Sequence, residues 1–317
     1  MAPTIGVFPA AGGIGGSTVK HLLPRHPSKD LVFIARHPEK LKCFPVGEAT
    51  LRCADYDDDK SLEHAFDGVD VLFLISYASV EHEHRSERHH FAIDKALRSG
   101  VKYIFYGSLG FGGKPETSES VAHVMQAHLD TERYLDELTR THPGFAYTVV
   151  REGLYSESYP LYTAFFDPEH PVDYVEIPHD GSGNGIAWVK REELGEGTAE
   201  LIKRFVQDQE GFKYKNKKVL LSGPKTLTLG ETVAILGKVS NHPVKIRQVT
   251  PDHFAENPRV APNFVYHNVG HSKFWTTTFE AFRRGEAAVV SPLLGELLGR
   301  EPEHFETTVS RAHPHLK

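Results

Sequence analysis

The sequence predicts an α/β protein with a doubly wound parallel sheet. Short, continuous apolar runs alternate with helical patterns through the first half of the chain. A glycine-rich turn follows the first run. Continuous apolar strands separated by helices are typical of a parallel sheet that is covered on both faces. Such a sheet places its ligand sites at the carboxyl ends of the strands.

The first half predicts six strands in regular alternation with helices. The strands are expected at residues 4–8, 31–35, 49–53, 69–75, 101–106 and 145–150. The helices between them are expected from the glycine-rich turn to about residue 25, and at about 61–66, 83–99 and 118–139. Each strand is a mostly apolar run that is bounded by turn residues, as buried strands are.

The pattern loosens after residue 151. Four prolines and the glycine-rich turn at 180–185 make the next segment rich in loops. A helix at 191–207, a strand at 218–222 and helices at 231–239 and 274–284 follow. We therefore expect two parts: residues 1–155 as a nucleotide-binding domain, and residues 156–317 as a smaller α+β lobe. Segments at about 180–222 are expected to return to the sheet.

Composition excludes several classes of protein. The net charge of −6 gives the chain of 317 residues no overall attraction to nucleic acid or to an anionic membrane. The two cysteines cannot form a disulfide framework, which favours a reducing compartment. No secretory signal and no apolar run near the ~20 residues of a membrane span is present. We expect a cytoplasmic protein without nucleic-acid or membrane partners, either a monomer or a homodimer.

The first strand leads into a loop that resembles a phosphate-binding turn. Glycines between a strand and a helix let backbone N–H groups approach a pyrophosphate at the helix N-terminus, as in Rossmann domains. Pro9 stands at the first glycine position of this pattern, where it fixes φ and removes an N–H. The predicted cofactor contacts of the loop are Ala10, Gly12, Gly13, Ile14 and Gly15.

Residues at the ends of the later strands indicate which dinucleotide is bound. Arg36 ends the second strand and Lys40 follows it, where an acidic residue would favour NAD and an arginine suits a 2′-phosphate. NADP(H) is therefore the expected cofactor. Asp55 and Tyr56 are expected to flank the adenine. Hydroxyl or backbone contacts are also expected from the following strand ends: Ser76, Tyr77 and Ser108.

These segments together resemble the NmrA-like, atypical short-chain dehydrogenase/reductase family. Residues 10–15 (AAGGIG) correspond to its A-T-G-x-L-G, and residues 128–132 (HLDTE) to its H-x-x-T-E. Residues 151–157 (REGLYSE) resemble its R-N-G-x-Y-S-E. Within the family, the chain is similar to the group that contains triphenylmethane reductase and small NADPH-dependent quinone reductases. Pro9, Ala11 and Glu152 depart from the family pattern.

The resemblance implies an NADP(H)-binding fold with a cleft between the sheet and a substrate lobe. It places Gly153 and Leu154 beside the nicotinamide, together with Glu152, whose carboxylate changes the local charge. Neither Tyr-x-x-x-Lys spacing in the chain lies on the helix after the fifth strand, and that helix offers His128 instead. His128 either moves a proton, contacts the cofactor or is structural. Tyr155 either donates to the substrate or packs as an aromatic.

The expected function is an NADP(H)-dependent reductase of a small aromatic or conjugated carbonyl or quinone-type substrate, in secondary metabolism. Two alternatives remain. One is a redox-neutral isomerase, epimerase or cyclase, with Glu152, His128 or Tyr155 as its acid–base groups. The other is a regulatory protein that senses NADP(H). The histidine-rich segment 81–90 lacks the HExxH spacing, so no metal is expected. Six aromatic residues are expected either to line a substrate pocket or, for about half of them, to pack in the core: Phe165, Phe166, Phe264, Tyr266, Phe274 and Trp275.

Overall fold

A parallel sheet forms the centre of the molecule in a computed structural model that describes residues 2–316. The strands are, in chain order, β1 Ile5–Phe8, β2 Leu31–Ala35, β3 Thr50–Cys53, β4 Val71–Ile75, β5 Tyr103–Leu109, β6 Ala146–Glu152, β7 Tyr174–Ile177, β8 Lys217–Leu221, β9 Lys245–Gln248, β10 Val265–Tyr266 and β11 Val269–Gly270. The helices are α1 Gly13–Leu22, α2 His82–Arg98, α3 His123–Thr141, α4 Arg191–Gln207, α5 Leu229–Val239, α6 Pro251–Glu256, α7 Ser272–Trp275, α8 Thr277–Arg283, α9 Leu293–Leu298 and α10 Phe305–Ala312.

The main sheet has the order β3-β2-β1-β4-β5-β6-β8, and every pair of neighbouring strands is parallel. The chain builds outward from β1 to β3 and then crosses to the other side of β1 to add β4. The connections that leave the carboxyl ends of β1 and β4 therefore lead to opposite sides of this switch point, where doubly wound sheets open a ligand crevice. The predicted Rossmann-type α/β fold is confirmed.

The strands are buried because helices cover both faces of the sheet. β1, β2 and most of β4 are inaccessible to solvent, as their continuous apolar runs predict. One apolar cluster contains Ile5 and Phe33 from the first half together with Leu194 and Leu294 from the second. The two halves of the chain thus share a core.

Close packing of α1 on α4 explains part of this shared core. Gly195 lies so near α1 that a Cβ atom there would come within 2.2 Å of Ser17 Oγ. Ser17 in turn donates a hydrogen bond to the carbonyl of Glu192. Through α4 and β8, the second half completes the layer structure of the first. The boundary at residue 155 remains a prediction.

Two predicted helices differ from the observed structure. Residues 61–66 form successive turns, although Leu62 and Phe66 are buried. A segment this short gains too few helical hydrogen bonds to offset nucleation. The predicted helix at 274–284 is divided between α7 and α8. Within residues 2–316, no helix has both the length and the apolar character needed to span a bilayer.

Two small strand pairs lie outside the main sheet. β7 and β9 run parallel to each other, and β10 and β11 form an antiparallel hairpin. His267 and Asn268 make the hairpin turn, with φ angles of 47° and 64°. Positive φ at both positions is typical of the two-residue turn that matches strand twist.

Candidate functional site

A cleft with a volume of about 680 Å³ opens at the carboxyl ends of the central strands. It is lined by the glycine-rich loop, by the ends of β2, β4, β5 and β6, and by residues of the second half. All of the predicted catalytic and cofactor-binding residues line it except Ala10, which is completely buried and packs in the core. Ala11 takes the expected place of Ala10 at the surface of the cleft.

The glycine-rich loop is open on the side that faces the cleft. Gly12 caps α1 with extended backbone angles, and a Cβ atom at Gly12 would meet no atom within 4 Å. Gly15 faces the opposite way, because its Cβ would lie 2.1 Å from the carbonyl oxygen of Pro9. Gly15 therefore allows α1 to approach β1, and Gly12 leaves room for a ligand. Pro9 forms part of the wall of the cleft and does not fill it.

Arg191 lies against this loop and was not predicted as a site residue. A Cβ atom on Gly13 would come within 2.7 Å of the Arg191 guanidinium. The Nε atom of Arg191 is buried without a hydrogen-bond partner among the described residues. Arg191 is also the first residue of α4, where the helix dipole disfavours a cation. An arginine at such a helix start is a signal that sequence inspection can use to find an anion site.

The predicted 2′-phosphate region lies at the end of β2. The Arg36 side chain is 67% exposed and has a weak ion pair with Asp55, at 3.6 Å between Nη1 and Oδ2. Lys40 lines the same part of the cleft. Tyr56 is buried and its hydroxyl donates to the carbonyl of Ile75 at 2.7 Å, so only part of its ring can face a ligand.

Glu152, which is buried, and Tyr155, which is partly buried, form a hydrogen-bonded pair at the other end of the cleft. The Tyr155 hydroxyl donates to Oε2 of Glu152 at 2.5 Å, whereas Oε1 is buried without a partner in the described chain. Burial raises the pKa of Glu152 to about 8, against smaller opposing effects of Tyr155 and Arg191. Burial and the neighbouring Glu152 also raise the pKa of Tyr155. Both groups therefore carry protons at neutral pH.

His128 lies in a hydrogen-bonded network that also contains a buried arginine. Arg85 Nη2 donates to His128 Nε2 at 2.8 Å, and the other ring nitrogen is 3.1 Å from the Tyr106 hydroxyl. Because a guanidinium only donates, Nε2 of His128 must accept and Nδ1 must carry the hydrogen. Burial, followed by the charge of Arg85, lowers the pKa of His128 well below its usual range.

Arg85 itself was missed by sequence reasoning. It is buried in the wall of the cleft and donates to the carbonyls of Tyr77 and Val124 and to Ser76 Oγ. No carboxylate lies within ion-pair distance of it among residues 2–316. The charged segment 81–90 resembles an exposed helical face, so burial of Arg85 becomes visible only when α2 packs on α3.

The serines at the strand ends have specific partners. Ser76 Oγ is 3.1 Å from His89 Nε2, next to its contact with Arg85. Ser108 Oγ donates to Glu132 at 2.8 Å, so its proton is directed away from the cleft. Glu132 also forms a buried ion pair with Arg151. The two motif segments at 128–132 and 151–157 thus hold each other in place.

The predicted aromatic pocket is correct only in part. Tyr266 and Trp275 line the cleft. Phe166 and Phe264 are buried in the core, and Phe165 packs against that core. Phe274 is exposed and stacks on His123. Aromatic residues near a cleft cannot be assigned to lining or core until the loops that carry them are placed.

Comparison with known proteins agrees with this arrangement. The NmrA-like family model matches residues 1–307. An NmrA-like family domain-containing oxidoreductase of Aspergillus flavus is 31% identical over 297 residues, or 92% of this chain and 89% of the relative. Quinone oxidoreductase 2 of Escherichia coli is 31% identical over 251 residues, or 79% of each chain.

Two solved structures with bound cofactor have the same fold. The NADPH complex of the E. coli NADPH-dependent quinone oxidoreductase has a TM-score of 0.76 at 26% identity, with 97% of this chain and 99% of that chain covered. The NADP(H) complex of Citrobacter sp. triphenylmethane reductase has a TM-score of 0.75 at 25% identity and the same coverage. The cofactor predicted from Arg36 and Lys40 is the one that both neighbours contain. The match along nearly the whole sequence, together with the fold, establishes that this chain belongs to the NmrA-like family.

Proposed function

We propose that this protein is an NADPH-dependent reductase of small quinones or conjugated aromatic carbonyl compounds. The observation that carries the proposal is the convergence of three features in one cleft. These are an open glycine-rich loop with an adjacent arginine, cationic side chains at the end of β2, and the hydrogen-bonded Glu152–Tyr155 pair in a wall that also contains the buried Arg85. The relatives named as quinone oxidoreductase and triphenylmethane reductase support the substrate class.

The residues of the cleft fit NADP(H). The amides of Gly12 and Gly13, together with Arg191, would hold the pyrophosphate, and Arg36 and Lys40 would hold the 2′-phosphate. The unpartnered Arg191 Nε is suited to a phosphate oxygen, and the unpartnered Glu152 Oε1 to the nicotinamide carboxamide or to substrate. When bound, this cofactor supplies a hydride. The chain has to orient the reactants, exclude water and manage charge and protons.

Arg85 would stabilise the negative charge that reduction leaves on a substrate oxygen. A quinone or carbonyl that accepts a hydride becomes an oxyanion until it is protonated. Fixed cations in a desolvated site stabilise such a charge strongly. Arg85 is buried and lacks a carboxylate partner in the described part of the chain, so its charge is available to the cleft.

Glu152 would supply the proton. Its raised pKa of about 8 keeps it protonated at neutral pH, and the hydrogen bond from Tyr155 occupies Oε2. The acidic hydrogen then belongs on Oε1, the atom without a partner among the described residues. A carboxylic acid with a pKa near the working pH is well matched to general acid catalysis. Tyr155 would orient this acid.

His128 would act as a positioning residue. Its Nε2 accepts from Arg85 and its Nδ1 faces Tyr106, so neither nitrogen is free to protonate a substrate in this arrangement. Of the three roles expected for His128, its contacts favour a structural role: it holds the Arg85 guanidinium in the wall of the cleft.

The decisive experiment combines cofactor titration with turnover. We expect the wild-type protein to bind NADPH more tightly than NADH and to oxidise NADPH when a small naphthoquinone is added. Arg191→Ala should weaken NADPH binding about tenfold or more through loss of a phosphate contact. Arg204→Ala, on the same helix but outside the cleft, is the matched control and should bind normally.

The two other functions predict different results. Tight NADPH binding without oxidation by any quinone would favour the sensor, and absence of NADPH binding would rule out the reductase. A sterically blocked phosphate loop would favour the redox-neutral enzyme. The open space beside Gly12 gives that alternative no support.

A further inference from the structure

Beyond reductase activity, a cluster of metal-ligand side chains lies next to two residues that line the cleft, Tyr77 and Tyr266. Asp57 follows β3, His84 lies on α2, and His267 is in the turn of the β10–β11 hairpin. One potential ligand atom from each of these residues lies within 4.8 Å of the others. The first two residues belong to the nucleotide-binding half and the third to the other half. We propose that these three side chains bind a zinc-type divalent cation that ties the hairpin to the nucleotide-binding half.

The spacing of the first two ligands already matches a tetrahedral ion. His84 Nε2 and Asp57 Oδ1 are 3.3 Å apart. Bonds of about 2.0–2.1 Å at tetrahedral angles hold two ligand atoms about 3.3 Å from each other. The rings of His84 and His267 are 4.7 Å apart between centroids, so a small movement of the exposed His267 would bring its nitrogen to the same ion.

Neighbouring groups orient these ligands as they do in known zinc sites. The Tyr77 hydroxyl donates to the second oxygen of Asp57 at 2.7 Å, which leaves Oδ1 facing His84. Both carboxylate oxygens of Glu81 are 3.0 Å from His267 Nδ1. A carboxylate that accepts from one ring nitrogen leaves the lone pair on the other nitrogen, and this arrangement is a regular feature of metal-binding histidines.

The ligand set selects the kind of ion. Two imidazoles and one carboxylate suit Zn²⁺ and related transition ions, whereas Mg²⁺ and Ca²⁺ prefer sites built from oxygen atoms alone. Three protein ligands leave a fourth position for water. The prediction that no metal is bound considered residues 81–90 by themselves. The proposed site takes only His84 from that segment, and the other two ligands come from distant parts of the chain.

Because the β10–β11 hairpin contributes to the cleft, an ion bound by this hairpin would affect the cleft. Tyr266 precedes His267 and lines the cleft, as does Tyr77, which bonds Asp57. His267 occupies a left-handed backbone conformation, where a residue other than glycine is uncommon. Bound metal would hold Tyr266 in the wall of the cleft and slow the exchange of the bound ligand.

Metal binding by an untagged protein tests the proposal without any measurement of activity. After treatment with a chelator, we expect one tight Zn²⁺ per chain, and one Co²⁺ with the visible absorption of a tetrahedral nitrogen–oxygen site. His84→Gln and His267→Asn should each weaken this site by about tenfold or more, because each removes one of only three protein ligands. His242→Gln is the matched control, since His242 also pairs with an aspartate, Asp173, but outside the proposed site.

The outcomes separate a built site from general binding to surface imidazoles. Equal Zn²⁺ affinity in the wild type and in both ligand variants would overturn the proposal, because the chain has 20 histidines that could bind metal weakly. Failure of the wild type to bind would overturn it as well. Addition of Zn²⁺ should slow hydrogen exchange of the hairpin amides in the wild type but not in His267→Asn. This result would support a link through the metal between the hairpin and the nucleotide-binding half. Folding of the variants is checked by thermal unfolding without metal.

Discussion

At the scale of single residues, burial gives Glu152 its chemical character. The family pattern commonly has an asparagine at this position, and the sequence alone shows only that a carboxylate replaces an amide. In the structure, Glu152 lies at the end of β6 with little access to water, and its pKa rises to about 8. A neutral carboxyl resembles an amide in shape and differs from it by one transferable proton.

Glu152→Gln should change how stability depends on pH. The carboxyl ionises near its ordinary value of 4.5 in the unfolded chain but only near 8 in the folded one. Between these values the unfolded state binds fewer protons, so the wild type loses stability as pH rises, by up to about 1.4 kcal/mol per pH unit. Glutamine cannot ionise, so the free energy of unfolding of the variant lacks this loss. Denaturant unfolding from pH 5 to 8 should therefore show the stability of the variant rising relative to that of the wild type. Parallel curves would contradict the shifted pKa.

Lys40 and Lys42 form a matched pair for testing nucleotide preference. Both side chains are exposed, but only Lys40 lines the cleft. Lys40→Ala should reduce NADPH affinity severalfold and leave NADH affinity unchanged, because a single exposed charge on a phosphate is worth about 1 kcal/mol or less. Lys42→Ala should alter neither. Fluorescence titration with both nucleotides measures the difference, and an equal loss for NADPH and NADH would count against a 2′-phosphate contact.

The residues that sequence reasoning missed share one property. Arg85 and Arg191 each become part of the site through a contact with a distant segment. Only Arg191 has a local sequence signal, which is its position at the start of a helix. Residues 12–15 and Arg36 were predictable because their spacing along one strand–turn–helix unit fixes their positions. The local sequence pattern therefore predicts the residues that face the cofactor. The position of Arg85 in the wall of the cleft depends on packing between helices, which the local pattern does not show.

At the scale of elements, two glycines of the glycine-rich loop have different roles: Gly15 allows close packing, and Gly12 leaves space for a ligand. Gly15→Ala should strongly destabilise the fold, because its Cβ would lie 2.1 Å from a backbone oxygen that cannot move aside easily. Overpacking of this kind costs typically about 1–3 kcal/mol and occasionally more. Gly12→Ala should cost less than about 1 kcal/mol, since its Cβ enters open space and only a modest capping preference is lost.

Thermal unfolding and NADPH titration together test this pair. We expect Gly15→Ala to melt at a clearly lower temperature, and Gly12→Ala to melt near the wild type but bind NADPH more weakly, because a methyl group then lies in the space for the pyrophosphate. Normal NADPH binding by Gly12→Ala would show that the loop does not hold the cofactor in this way.

Element types were predicted more successfully than their ends. α4 was predicted at its observed bounds, and its first residue turned out to face the cleft. The segment 61–66 kept its buried apolar residues but not its helix, because tertiary contacts bury Leu62 and Phe66 in a turn as well as they would in a helix. The spacing of apolar residues along the sequence predicts which side chains are buried. Whether the backbone that carries them is a helix or a turn depends on the length of the segment.

At the scale of the whole molecule, the two halves of the chain are expected to unfold together. β8 pairs with β6 in the main sheet, and α4 covers α1, so the core of the first half is incomplete without the second. Both tryptophans, Trp188 and Trp275, belong to the second half, so their fluorescence reports on that half alone. Far-ultraviolet circular dichroism reports on the helices and strands of both. Urea unfolding followed by the two signals should give superimposable curves with one midpoint. Separate midpoints would mean that the shared core does not couple the halves, and that the predicted boundary at residue 155 divides two independent folding units.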